Sequence, residues 1–376
     1  MFSRSHWSVR GTLVVVTLIV GNSQIGRAQE SSNENSWTKN SQQFDPSGAL
    51  NPTRSRTTHS EVNGHVIEKT IVEARGPDGR YVPYSEVERE TIRLNDTTTR
   101  NVERSFGRDP DGRRTLTQQT QEESRSFPDG AKKVSRTTSS PDGNGTLQVV
   151  QRAEVNSKVV SSGVRDTKTT LFSADGGGGL GATMQIEERE RKTDASTVEF
   201  TKSTSLSDGA GHWTLSEIRE GTTRQDAGGT TKDERVLRPG SNGKMAVVER
   251  TVSKESTGGR GGTTETYSTN VPGEAGDEGL RLVQRESTVQ RTGTGGERQT
   301  TRRVEQTNPG DPGAGLRLTQ EAIDIVRPGA NGVALQQSTI VTTDSNGTMN
   351  AVLVDMGKSD KPAAVKVDTK SPTKPN

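Results

Sequence analysis

Apolar residues are sparse along this chain, and where they gather they alternate with polar ones instead of recurring at helical spacing. In "KMAVVERTV" (244–252), strict alternation puts Met245, Val247, Glu249 and Thr251 on one side, with Ala246, Val248, Arg250 and Val252 on the other. In "GLRLTQEAIDIV" (315–326), Leu316 and Leu318 fall with Gln320 and Ala322, and Ile323 and Ile325 fall opposite. A period of two is the strand period, and the Val, Ile and Thr that fill these segments pack well on a pleated surface. Neither side is cleanly apolar. One apolar position recurs early in successive segments, at Leu116, Leu147, Leu180, Trp213, Met245, Leu280, Leu316 and Met349. It reads as a narrow stripe near one end of the strands.

Turns divide the segments at a steady interval. One class starts at Asp45, Asp78, Asp111, Asp142, Asp175, Asp208, Asn242, Asp277, Asp311 and Asn346, about 33 residues apart. A second class sits between them, at Asn63, Asn95, Asp129, Ser162, Asp194, Ala227, Arg260, Thr294 and Asn331. Asp-Gly and Asn-Gly supply the positive φ angles of tight hairpins. A fixed interval of this length is the mark of an array. The pattern predicts an all-β fold, an extended antiparallel β-meander of hairpins with about 33 residues per two-strand unit and disordered termini. Its alternatives are a largely disordered chain and a β-solenoid. An open sheet of this kind has edges that invite self-association.

Composition narrows the picture. Hydrophobic residues are 26% and aromatics 3%, too few to fill a thick core. An outer-membrane barrel needs an apolar lipid-facing band and aromatic girdles, and this composition speaks against one. Residues 1–28 read as a signal peptide, with Arg4 and Arg10 before the apolar "GTLVVVTLIVG" and small residues Gly26 and Ala28 ahead of the cut. Residues 29–58 read as a flexible polar leader, 59–356 as the hairpin array, and 357–376 as a disordered Lys/Pro/Ser-rich tail. Of 50 basic residues, Arg4, Arg10 and Arg27 leave with the signal, so 47 face 48 acids and no global pull toward nucleic acid follows. Cysteine is absent, which removes disulfides, thiolate metal sites and a lipoprotein anchor.

Candidate chemistry is thin. After the signal the histidines are His59, His65 and His212, too few and too scattered for an acid–base or metal set. "DGGGGLGAT" (175–183) matches G-x-G-x-x-G through Gly176, Gly178 and Gly181, but its flanks are polar strands with no helix to face a phosphate. "RDPDGR" (108–113) offers Asp109 and Asp111, short of the six to eight oxygens calcium takes. The basic runs "ERERK" (188–192) and "RQTTRR" (298–303) carry or adjoin Glu and lack interleaved aromatics. Exposed aromatics that would stack on a sugar are few, at Trp37, Tyr81, Tyr84, Trp213 and Tyr267. No catalytic, cofactor or metal residue is assigned.

The turns "DPDGRRT" and "PDGAKK" resemble the Asp-Gly turns of YD repeats in large bacterial surface and toxin-shell proteins. Those repeats carry regular tyrosines, whereas this chain has three, and no functional residue is carried over. The expectation is a secreted or periplasmic, non-enzymatic bacterial protein, a spacer, matrix component or adhesin-like surface. Its partner would be an extracellular protein or polymer, with no nucleic acid and no membrane span after signal cleavage. A polymer- or glycan-binding module is the alternative.

Overall fold

The computed structural model describes residues 33–44, 50–76, 78–175, 177–258, 262–272, 280–293, 295–308, 310–328, 334–343 and 348–359. The signal peptide expected at 1–28 and most of the expected tail lie outside them. The described residues form β1 (Asn33–Phe44), β2 (Leu50–Val62), β3 (His65–Arg75), β4 (Tyr81–Arg93), β5 (Thr98–Arg108), β6 (Arg114–Ser126), β7 (Lys132–Pro141), β8 (Leu147–Ser161), β9 (Val164–Ala174) and β10 (Leu180–Lys192). They continue as β11 (Thr197–Ser207), β12 (Trp213–Asp226), β13 (Gly229–Pro239), β14 (Met245–Gly258), β15 (Gly262–Pro272), β16 (Leu280–Thr292), β17 (Arg298–Asn308), β18 (Asp311–Pro328), β19 (Ala334–Thr343) and β20 (Met349–Ser359). The fold is an all-β antiparallel meander, which removes the solenoid and the disordered chain as descriptions of these residues.

Two expectations are corrected. The segment read as a flexible leader supplies β1 and most of β2, paired along their whole length from Asn33↔Glu61 to Phe44↔Leu50. The sheet is also not open. β1 pairs antiparallel with β20 from Thr38↔Lys358 to Gln43↔Leu353, so the last strand returns to the first and all 20 strands have two neighbours. Self-association through sheet edges loses its basis, because closure is what removes edges. Nor are hairpins the structural unit: β4 pairs β5 over eight positions across a turn of one class, much as β3 pairs β4 across the other.

Each even-numbered strand from β4 to β20 carries an extra residue at the same depth. The register slips at Tyr84, Thr117, Val150, Thr183, Ser216, Val248, Val283, Thr319 and Val352. These β-bulges bend and twist the strands, which a sheet needs in order to curl. Where the bulged residue is Thr or Ser, its hydroxyl bonds the opposite strand. Thr117, Thr183, Ser216 and Thr319 donate to the carbonyls of Ser105, Leu171, Thr204 and Val304 at 3.0, 3.3, 3.1 and 3.1 Å.

The bulge also changes which residues share a face. In β14, Met245 and Val247 lie with Arg250 and Val252, not with Glu249 and Thr251. In β18, Leu316 and Leu318 lie with Ile323 and Ile325. Strict alternation therefore misplaced the strand starts, and the face looked less apolar than it is. Burial remains shallow. The buried apolar side chains among the described residues are Val102, Val134, Val236 and Val304, and the buried polar ones are Thr57, Glu73, Glu86 and Thr98.

Candidate functional site

The features that bear on function are the two faces and two rims of the ring. Turns leading from odd to even strands make the first rim. At three of them, the leading Asp Oδ1 accepts two backbone N–H groups: Asp142 from Asn144 and Thr146, Asp175 from Gly177 and Gly179, Asp208 from Ala210 and His212. The hydrogen bond from Asn144, then that from Thr146, holds the Asp142 carboxyl below its ordinary value. Gly145 sits at φ 80° and Gly178 at φ 83°, a region that favours glycine. The phosphate-loop match at 175–183 is thus a closed hairpin turn between β9 and β10.

The recurring apolar stripe lies on one face, beside this rim. Register pairs Leu116 with Phe106, Leu147 with Pro141, Trp213 with Ser207 and Met245 with Pro239. The side chain of Leu280 lies outside the described residues. Leu147, Val149, Trp213 and Leu215 are 37–40% exposed. The band is about two same-face positions deep. At ~3.3 Å per residue that is roughly 7–10 Å, against the ~25 Å of a lipid-facing band.

Beyond the band, both faces are laced with ion pairs. On the stripe's face, Arg54 Nε lies 2.6 Å from Glu73 Oε2, Arg189 Nε 2.8 Å from Asp166 Oδ1 and Arg303 Nε 2.7 Å from Glu321 Oε1. On the other face, Arg89 Nε lies 2.7 Å from Glu103, Arg302 Nε 2.6 Å from Glu286 and Lys232 Nζ 2.6 Å from Glu234. Burial works against the Glu73 carboxylate, but hydrogen bonds from Arg54 and Arg56 outweigh it and hold its pKa below the ordinary value. Glu86 behaves likewise, with Lys69 and Arg114 outweighing its burial. Thr57 and Thr70 pair across β2 and β3 at 2.9 Å. Arginines also stack on aromatic rings: Arg114 over Phe106 at 3.4 Å, Arg152 over Phe172 at 4.4 Å and Arg54 over Tyr81 at 4.5 Å.

The structure does not bring the histidines together. His65 Nε2 lies 2.9 Å from Glu90, His59 Nδ1 4.0 Å from Glu68, and His212 Nδ1 2.8 Å from Asp208 at the first rim. Asp109 accepts the Arg113 backbone N–H at 2.7 Å as a turn residue. No group of three potential metal ligands occurs among the described residues. The basic runs are charge-paired: Arg191 with Glu199, Arg302 with Glu286, Arg303 with Glu321. An open groove across β11–β13 is lined by Glu199, Thr201, Glu220, Thr222, Asp233 and Arg235, and Arg191 and Arg250 already hold Glu199 and Asp233. Closure and the bulges went unread in the sequence, although the bulged residue falls three positions after every stripe residue except Leu116, where it is the next one.

No family model matches the chain, and no curated protein matches it. Among solved structures, it resembles the siderophore receptor PirA from Acinetobacter baumannii, with 7% identity, 89% of this chain and 81% of that chain covered, and a TM-score of 0.52. A mutant of the Rh. blastica porin (10% identity, 88% and 100% covered, TM-score 0.32) and a mutant of the Pseudomonas aeruginosa ferric enterobactin receptor (9%, 85% and 68%, TM-score 0.40) are more distant. The shared feature is a fold of many antiparallel strands. The expectation of a secreted spacer, matrix or adhesin-like array, or of a polymer- or glycan-binding module, is overturned. The open-edged sheet on which it rested is closed through β1 and β20, and the solved structure it resembles at a TM-score of 0.52 is a siderophore receptor.

Proposed function

We propose that this chain is a non-enzymatic, solute-handling β-barrel of the bacterial cell envelope, standing in water and enclosing a space open to small hydrophilic solutes. One observation carries the reading: the strand ring closes through β1 and β20 while both faces of its wall bear ion pairs. A 20-stranded ring falls between the 16–18 strands that leave a water-filled channel and the 22 that leave a plugged lumen. A lipid-facing wall would bury charges at ~2–4 kcal/mol for each Arg or Lys near the midplane, so the compartment is aqueous, such as the periplasm. The likeness to a siderophore receptor supports a small polar solute as cargo.

Small-angle X-ray scattering and planar-bilayer recording on residues 29–376 test the reading. Expected are a hollow particle and no conductance steps. An extended ribbon would remove the barrel, and stepwise conductance from carbonate-resistant protein would make it a membrane channel instead. A thermal-shift panel of organic acids, oligosaccharides and ferric chelates then tests the cargo. A folded barrel that responds to none of them ends the solute-handling claim.

A further inference from the structure

The second rim, where even strands turn into odd ones, has a different chemistry from the first. From β6 to β10 it carries Arg125, Lys132, Lys133, Lys158, Arg165 and Lys192. Arg125 stands directly opposite Lys133 in the register, a like-charge pairing that destabilises a sheet. Among the described residues, no ion pair within 4 Å holds any of the six. Arg125 instead stacks on Phe127 at 5.0 Å. Four acids share the sector: Asp129 and Asp194 in its turns, engaged by the Ala131 N–H and by the Ser196 N–H and hydroxyl, Asp166, opposite Lys158 and bound by Arg189, and Glu190, opposite Arg165, so six cations outnumber them. The turns of this sector also touch. A Cβ on Gly130 would meet Val159 Cγ2 at 3.3 Å, and the Lys192 N–H donates to the Gly163 carbonyl at 2.7 Å.

Apolar tips stand among these cations. Val159 is 45% exposed and Val160 52%, and around the same rim Val62 is 51% and Leu94 43% exposed. At the other end of β7–β12, the first rim offers Asp142, Asp175 and Asp208 with no Lys or Arg in those turns. The sector is thus positive and apolar-tipped at one end and negative at the other.

We infer that the β6–β10 sector of the second rim docks the barrel, end-on and reversibly, onto an anionic phospholipid surface. Each Lys or Arg near such a surface contributes ~1 kcal/mol, a factor of about five, and the valine tips would enter the headgroup boundary as amphipathic anchors do. The inference does not depend on what the barrel carries.

Vesicle flotation of residues 29–376 tests it, with phosphatidylcholine alone or mixed with one-third phosphatidylglycerol. Capture by the mixed vesicles only, released by 0.5 M salt or carbonate, is expected. The triple variant Lys133→Glu, Lys158→Glu, Arg165→Glu should partition at least tenfold more weakly. Val159→Ser with Val160→Ser should weaken capture without changing its salt dependence. Two first-rim variants, Asp142→Asn with Asp175→Asn and Trp213→Ala, should leave capture unchanged. Circular dichroism on each variant separates a lost fold from a lost surface. Equal capture by neutral vesicles, carbonate-resistant capture, loss with Trp213→Ala, or binding to polyphosphate or DNA without vesicle capture would each overturn the inference.

Discussion

Arg54 Nε lies 2.6 Å from Glu73 Oε2, and the carboxylate, only 2% exposed, also accepts from Arg56 Nη2 at 2.7 Å. In a wall with little apolar filling, such a buried charge is stable only because both oxygens are bonded. Glu73→Ala should lower stability by about 1.5–3 kcal/mol, with Glu73→Gln milder because it keeps an acceptor. The shift in urea midpoint checks this.

Closure can be tested by chemistry that the chain itself does not contain. Asn40 and Met356 are register partners across β1 and β20, and native cysteine is absent. Antiparallel partners lie about 4.5–5.5 Å apart at Cα, within disulfide range. Asn40→Cys with Met356→Cys should oxidise to an intramolecular disulfide that speeds migration on non-reducing gels. Intermolecular dimers alone would contradict the seam.

The bulge hydroxyls make a graded prediction. Thr183→Val and Ser216→Ala each remove a bond to the opposite strand, and each should cost about 0.5–1.5 kcal/mol. Amide exchange should rise at the same depth on β9 or β11, not at the turns.

Gly221 is a tighter constraint. A Cβ there would collide with the Asp233 carbonyl oxygen and stand 3.0 Å from Phe200 Cε1. Gly221→Ala should destabilise by about 1–3 kcal/mol, read as a lower melting temperature. Phe200→Leu should be the milder change, because it leaves the β12–β13 backbone approach intact.

Acid should weaken the fold in a defined direction. Burial raises the carboxyls of Glu73, Glu86, Glu217 and Glu234, yet their Arg and Lys partners more than offset it and leave all four below the ordinary value. A depressed carboxyl contributes stability above its unfolded pKa and loses it as pH falls through the folded one. The urea midpoint should therefore hold above about pH 4.5 and decline below it. Asp194 is depressed to about 2, first by the Ser196 backbone N–H and then by the Ser196 hydroxyl. A carboxyl NMR titration should place it last among the turn aspartates to protonate.

Much of the fold was legible because its determinants are local. Asp142, Asp175 and Asp208 mark turns by side-chain bonds to their own backbone, and Val, Thr and Ile mark the strands between. The meeting of β1 with β20 was not legible, since no local signal in Asn40 or Met356 names a partner so far along the chain. Met245 and Leu316 were grouped with the wrong neighbours because Val248 and Thr319 shift the alternation by one, and a bulge leaves no composition mark. The candidate surface was hidden for a third reason. "ERERK" drew attention by density, yet its arginines are paired, while Lys133, Lys158 and Arg165 lie apart in sequence and converge only through the strand order.

In a ring, no strand is first. Because β1 and β20 are as much neighbours as any other pair, the cyclic order survives wherever the chain is cut. A circular permutant opened at the Asp142 turn, its old ends joined by a flexible linker, should reach the same register as the parent.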